Sequence, residues 1–425
     1  MTSGRNRMRR AACAALLLIG AGAAPARAAG QATIPDQEAV ARGAYLAAAG
    51  DCVACHTAPG GRPFAGGRAI RTAFGTLLGS NITPDTATGI GGWTDAQFLR
   101  AVKRGIGGKG QRLYAAMPFN TYARASDRDI LDIKAYLASL QPVRNAVATN
   151  QFSFPFNIRL LSAFVWSMLY FDPAPFRADP ARDAQWNRGA YLVTGLGHCT
   201  TCHSPKNRLG ADDVRAYLGG APLEGLFAPA LDDAARTGLG GWTEEDIVAY
   251  LRTGTSRRAV AAGPMAEVVS RSTQFLTDAD LRAIAVYLRS VPTPPGQEAT
   301  PPAPPGTAAM EAGARLYGES CRACHGADGQ GIPGMVPALA GHAGVQSADP
   351  ASALNVILQG AQSAITRGND RGTSMPAFAW KLTDTQVADV TTFVRNSWGN
   401  RAAPITPADA ARARQALNAP QSLPR

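Results

Sequence analysis

The pentapeptide Cys52-Val53-Ala54-Cys55-His56 constrains this chain more than any other stretch. Cys-x-x-Cys-His is the attachment signature of a c-type haem. Two thiols add across the haem vinyl groups as thioethers, and the histidine that follows binds the iron from the proximal side. The pattern returns at Cys199-Thr200-Thr201-Cys202-His203 and at Cys321-Arg322-Ala323-Cys324-His325. With 7 cysteines and 5 histidines in 425 residues, three such coincidences are not chance. A zinc site or a redox dithiol would use Cys-x-x-Cys, but neither explains a histidine directly after every pair. The expectation is three covalently bound haem c groups. Cys52, Cys55, Cys199, Cys202, Cys321 and Cys324 would be the attachment points, and His56, His203 and His325 the proximal iron ligands.

The seventh cysteine, Cys13, lies in a stretch that reads as a targeting segment. Arg5, Arg7, Arg9 and Arg10 precede an apolar run at residues 11–23, and Ala26-Arg27-Ala28 is a small-x-small cleavage site. Residues 1–28 are therefore expected to be a secretory signal, with a retained anchor as the alternative. Export to the periplasmic face of a bacterial cytoplasmic membrane suits the chemistry, because bacterial c-type haems are attached outside the cytoplasm. The formal charge of +11 falls to +6 once the five arginines of the leader are removed. The propionates of three haems add about −6 when ionised. A near-neutral holoprotein offers no support for nucleic-acid binding.

Each pentapeptide sits in a recurring frame. Before it come Arg42-Gly43-Ala44-Tyr45-Leu46, Arg188-Gly189-Ala190-Tyr191-Leu192 and Ala312-Gly313-Ala314-Arg315-Leu316. After the first two comes Gly-x-Gly-Gly-Trp-Thr, at residues 89–94 and 238–243. Thr94 and Gln97 have the spacing of a capping box. Each module closes on a helix whose N-cap would be Ser126, Thr277 or Thr383. The apolar sets Ile130, Ile133, Leu137; Leu281, Ile284, Leu288; and Val387, Val390, Val394 then repeat at i, i+3, i+7. These closing helices are expected to cross the helices before the pentapeptides at Gly43, Gly189 and Gly313, where a missing Cβ permits close approach. The predicted fold is all-α, with three tandem domains at 36–145, 181–291 and 307–400, each around one haem. Residues 146–180 connect the first two and include an unusually apolar run at 152–171, expected either to pack between haem domains or to dock on a membrane or partner. Residues 292–306 form a Pro-rich linker, and 401–425 a peripheral tail.

Only His198 and His342 lie outside the pentapeptides, so the three irons cannot all be bis-histidine. Methionine is the usual alternative sixth ligand and raises the potential. Met117 follows His56 by 61 residues, Met265 follows His203 by 62, and Met375 follows His325 by 50. Each falls before a closing helix, in what reads as a loop. Core packing is the competing reading for these methionines, above all for Met265, which lacks the following proline of the other two. Met335 is expected to pack on a haem face, His198 to hydrogen-bond or face solvent, and His342 is an alternative distal group in the third module. Each methionine is expected to act on its own haem alone. With His and Met on every iron, no position is open to substrate, so the haems would move electrons.

These residues resemble the triheme cytochrome c subunit of membrane-bound bacterial dehydrogenases that oxidise alcohols, gluconate, sorbitol or fructose. The resemblance covers about residues 36–400. Further marks are Asn81-Ile82-Thr83-Pro84-Asp85, Gly197-His198-Cys199, the run Gly263-Pro264-Met265-Ala266-Glu267-Val268-Val269, and Trp398-Gly399-Asn400. It implies three class I cytochrome c domains with Met117, Met265 and Met375 as distal ligands. It also implies an electron-transfer subunit that is not itself the enzyme. A separate quinoprotein or flavoprotein subunit would oxidise the substrate, and electrons would pass to ubiquinone or a terminal oxidase at the membrane surface. The alternatives are the electron-transfer subunit of a molybdenum hydroxylase acting on aldehydes or N-heterocycles, and a free periplasmic shuttle.

Overall fold

The closing helices form where the caps and apolar spacing place them. In the computed structural model, which describes residues 36–418 except 73, 149, 159, 224 and 296–301, they run Asp127–Ser139, Asp278–Arg289 and Asp384–Arg395. The Ser126, Thr277 and Thr383 hydroxyls each accept a backbone N–H in the first turn, at 3.0, 3.2 and 3.3 Å. Every residue of the three apolar sets is buried. The expected leader at 1–28, the middle of the Pro-rich linker and the end of the tail lie outside the described residues.

The leading helices are Gln37–Ala49, Ala184–Tyr191 and Thr307–Ser320. Each packs against the closing helix of its own module. A Cβ added at Gly43 would lie 1.8 Å from the Asp132 carbonyl oxygen, at Gly189 1.9 Å from that of Ala283, and at Gly313 2.3 Å from that of Asp389. No side chain fits there, so glycine sets the closeness of all three crossings. The second leading helix runs on into a π-helical turn, Leu192–Leu196, broken at Gly195.

The first two modules share their cores. Ala49 of the first packs in the second cluster and Leu196 of the second packs in the first, while Tyr45 and Tyr191 lean on both. The two tyrosines make reciprocal bonds. Tyr45 donates to Asp280 and accepts from Thr277 N (3.2 Å), and Tyr191 donates to Asp129 and accepts from Ser126 N (3.0 Å). The same hydroxyl thus meets the same first helical turn from both sides of the interface. Burial and the Asp129 bond push the Tyr191 phenol up to about 12, so it stays a donor at physiological pH. The third core is built from residues of its own module and of the tail, with none from the first two modules. It joins the second module through backbone and small residues and through longer side chains, among them Arg367 over the Phe275 ring and Arg236 donating to Arg401 O (2.9 Å). Ala364 N donates to Ala261 O (3.1 Å), Ser352 both donates to and accepts from the Phe227 backbone, and Thr366 donates to Thr253 O (3.1 Å).

Three features depart from the sequence expectation. The fold is mainly helical, but the described residues also form three small antiparallel sheets: Ala69–Thr72 with Gly75–Leu78 and Gln151–Phe152, Ala221–Leu223 with Leu226–Ala228, and Ala361–Gln362 with Ser374–Met375. Such short strands lack the length for a visible period-2 pattern. The tail is also more than a peripheral extension. It forms a helix, Pro407–Asn418, packed on the third closing helix with Ala410 fully buried. The wholly buried Arg395 donates to three carbonyls, of Ala403, Val345 and Ser347, and so ties the tail to the core.

The third departure is that the run at 152–171 splits into two apolar rows, one packed inward and one exposed. Phe156 stacks on Phe74 (4.6 Å), Phe152 on Tyr114 (4.3 Å), and Trp166 and Phe171 on Phe119. Phe154, Val165, Met168 and Leu169 face outward. No described helix is long and apolar enough to cross a membrane.

The crossings are testable. Gly43→Ala is expected to cost about 1–3 kcal/mol by overpacking. Gly92→Ala, where a Cβ meets nothing within 4 Å, is expected to leave the melting temperature within error. Thermal unfolding of the two variants beside the parent checks this.

Candidate haem-binding sites

Each pentapeptide forms a single helical turn, with the histidine N–H bonded to the carbonyl of the first cysteine at 3.1, 3.0 and 3.0 Å for His56, His203 and His325. The imidazoles are oriented by backbone. His56 Nδ1 lies 2.7 Å from Ser80 O, His203 Nδ1 2.7 Å from Pro229 O, and His325 Nδ1 3.3 Å from Pro337 O. A carbonyl only accepts, so Nδ1 carries the proton and Nε2 keeps its lone pair for a metal. Burial lowers the pKa of all three rings, with the carbonyl bond offsetting part of the effect. They are neutral at neutral pH, the form that ligates iron.

No disulfide joins any two of the six attachment cysteines. Among the described residues no three His, Cys, Asp or Glu side chains converge where a metal ion could sit. A zinc reading requires that convergence; a haem, held at its rim by two sulfurs and at its centre by the imidazole, does not. The residues fit the haem.

The methionines occupy three different local structures, where the sequence suggested three loops. Met117 sits in a turn before the short helix Phe119–Tyr122 and packs in the first core with Cys52. Met265 is in the first turn of the helix Pro264–Arg271, opened by Gly263 at φ 57° and by Pro264, and packs in the second core with Cys199. The proline missing after Met265 stands before it, where its fixed φ starts a helix. Met375 lies in the strand paired with Ala361. Met335, expected on a haem face, is half exposed. His198 takes a left-handed backbone (φ 37°) and stands 5.8 Å from the Tyr122 ring of the first module. His342 caps the turn Ala343–Gln346, its Nδ1 accepting from Gly344 N (3.1 Å). Burial and the neighbouring His325 lower its pKa to about 4.

Sequence reasoning missed how the first two sites interlock. The helix carrying Met265 packs on the turn Cys52–Cys55 of the first module. In return, the turn Phe119–Tyr122 after Met117 packs on Leu192–Leu196, just before the second pentapeptide. Each of these methionine-bearing segments thus covers the other module's attachment region. The third turn is open, with Arg322, Ala323 and Cys324 exposed. Between the Met265 helix and the first module lies a charged group, Glu267 and Arg271 of the helix with Asp51 and Arg68 of the first module. Arg68 and Glu267 form a two-pronged ion pair at 2.9 and 2.9 Å, and Arg271 Nε is 3.2 Å from Glu267 Oε1. Among these four, only Glu267 falls within a motif visible in the sequence.

Asp51 is buried, with a left-handed backbone (φ 47°) and an Oδ1 that has no hydrogen-bond partner. Burial, reinforced by Glu267 and opposed by Arg271 and Arg68, pushes its carboxyl up to about 8. The folded-state value is above the unfolded one. Between about pH 4 and 8 the folded protein therefore holds a proton that the unfolded chain has released, and stability falls as pH rises through that window. Asp51→Asn keeps the left-handed backbone tolerable and removes this titration. It is expected to flatten the decline, the melting-temperature gain over the parent growing from pH 5 to pH 8.

The family model for cytochrome c matches residues 40–141, 187–292 and 310–398. The chain is 39% identical over 394 residues to the gluconate 2-dehydrogenase cytochrome c subunit of Pantoea cypripedii, covering 88% of this chain and 89% of that one. It is 39% identical over 398 residues to the cytochrome c subunit of the quinone alcohol dehydrogenase of Gluconacetobacter polyoxogenes, covering 89% and 85%. To a nicotinate dehydrogenase subunit of Pseudomonas putida it is 44% identical over 361 residues; that match takes 84% of this chain but spans only 30% of the relative. With three matched segments, each containing an attachment turn whose histidine is anchored on a carbonyl, this chain belongs to the cytochrome c family.

Proposed function

We propose that this chain is the electron-transfer subunit of a dehydrogenase complex, with three haems c attached at Cys52/Cys55, Cys199/Cys202 and Cys321/Cys324 in three tandem class I cytochrome c domains. His56, His203 and His325 bind the irons from one side and Met117, Met265 and Met375 from the other. The observation that carries this is the set of three neutral imidazoles with Nδ1 committed to a carbonyl and Nε2 free. When bound, the haem supplies a one-electron couple. The protein supplies its ligands, its orientation and its low-polarity surroundings. A distinct catalytic subunit oxidises the substrate. The relatives favour an alcohol, a sugar or a sugar acid. A second reading, in which the partner oxidises a heteroaromatic acid, rests on the 44% identity to the nicotinate dehydrogenase subunit.

The chain is exported, its leader at 1–28 is removed, and it works at the periplasmic face of the cytoplasmic membrane, passing electrons to ubiquinone or a terminal oxidase. The outward row of the 152–171 run supports the membrane contact. Phe154, Met168 and Leu169 are 78%, 71% and 61% exposed, next to the exposed Leu209 and Arg208. Residues 150–171 contain no acidic side chain to oppose an anionic lipid surface.

Two measurements test the reading. Purification from solubilised membranes through a C-terminal tag should recover three haems per chain together with a larger quinone- or flavin-containing subunit. A cytochrome without such a partner in the soluble fraction counts against it. The mature holoprotein should float with vesicles of phosphatidylcholine and phosphatidylglycerol. Met168→Ser with Leu169→Ser should weaken that binding by at least about tenfold, from the loss of two buried apolar side chains.

A further inference from the structure

The Arg68–Glu267 pair joins two places that the haem chemistry needs to be still. Arg68 belongs to the first module. Its carbonyl accepts from Gly79 N (2.8 Å), its neighbour Gly67 donates to Gly79 O (2.7 Å), and Gly66 N donates to His56 O (2.7 Å). Its backbone is therefore tied to the segment whose Ser80 carbonyl holds the His56 ring. Glu267 belongs to the second module and lies two residues after Met265, in the first turn of the same helix. The guanidinium meets both carboxylate oxygens at 2.9 Å, and the two side chains are 29% and 30% exposed. The pair is a strut from the proximal side of the first haem site to the distal side of the second.

The strut is one-sided. Met117 and Met265 are 148 residues apart, and the residue 148 before Glu267 is Phe119. Phe119 is wholly buried against Trp166 and Phe171, with no ion pair to the second module. The Met265 helix also starts without a side-chain cap, on a glycine at positive φ. Glu267, held by Arg68 and Arg271, is the charged anchor of that first turn.

We infer that Arg68 is a positioning residue for the sixth ligand of the second haem: acting through Glu267, it holds the Met265 helix at the distance that lets the thioether bind iron. The inference rests on Met265 as that ligand. It makes haem ligation in the second module dependent on a residue of the first.

The test uses the mature holoprotein with all three haems, a spectroelectrochemical titration, and the methionine-to-ferric-iron charge-transfer band. The variants are Arg68→Ala, Glu267→Gln, Arg68→Lys and Met265→Ala. A loosened thioether bond disfavours the ferrous state. Arg68→Ala and Glu267→Gln should therefore both lower the same one of three midpoint potentials, the one Met265→Ala lowers most, and both should weaken the band. The double variant should match either single one. Arg68→Lys, with a point charge in place of the planar fork, should fall between. Were the pair to act only through its field, losing the cation would lower the potential and losing the anion would raise it; opposite shifts overturn the inference. A lower melting temperature with potentials and band unchanged also overturns it, reducing the pair to a brace. A band left intact by Met265→Ala removes the ligand reading itself, and this inference with it.

Discussion

The structure depends on a backbone contact. In all three modules the leading helix crosses the closing helix at a glycine, and the space where a Cβ would stand is taken by a carbonyl of the partner helix. Helices usually pack 8–10 Å apart because side chains separate them. Gly43, Gly189 and Gly313 remove that spacer. The pentapeptide follows the leading helix directly, and the distal segment precedes the closing helix. Locking the two helices therefore fixes proximal and distal segments relative to each other. A small domain with few large aromatic residues can then hold a rigid planar group between two walls.

The three modules share this crossing but differ in what surrounds it. The first two exchange core residues, reciprocate tyrosine hydrogen bonds and cover each other's attachment regions. In such an arrangement part of what lines each attachment region comes from the other module. The third module keeps its own core and touches the second through backbone, small side chains and some longer ones. Its attachment turn faces solvent beside the 83%-exposed Trp380, whose neighbour Lys381 donates to Ser320 (2.9 Å). Two attachment regions are thus covered by the neighbouring module and the third is open.

Much of this was legible because haem attachment is encoded locally. Two cysteines and a histidine within five residues need no fold to be recognised. Ser126, Thr277 and Thr383 announced the closing helices because a cap is a contact within one turn. The glycines were readable because they recur at one place in a repeat. The Met265 helix was not readable: Gly263-Pro264 looks like a loop and starts a helix only because that glycine takes φ 57°. The tail helix was hidden for another reason, since its anchors, Arg395 and the buried Ala410, carry no local signal of burial.

The sequence by itself carried three Cys-x-x-Cys-His attachment patterns, a shortage of histidine that makes methionine the candidate for the distal side, and three copies of one helical frame. These are read from residue types and their spacing along the chain. Only the tertiary structure decided how the copies differ: that the first two interlock, that Arg68 meets Glu267 across 199 residues, that Asp51 loses its water, and that the third turn stays open. Those outcomes depend on which surface each module presents to the next. A repeat writes the same local pattern three times and leaves the pairing of its surfaces to the fold.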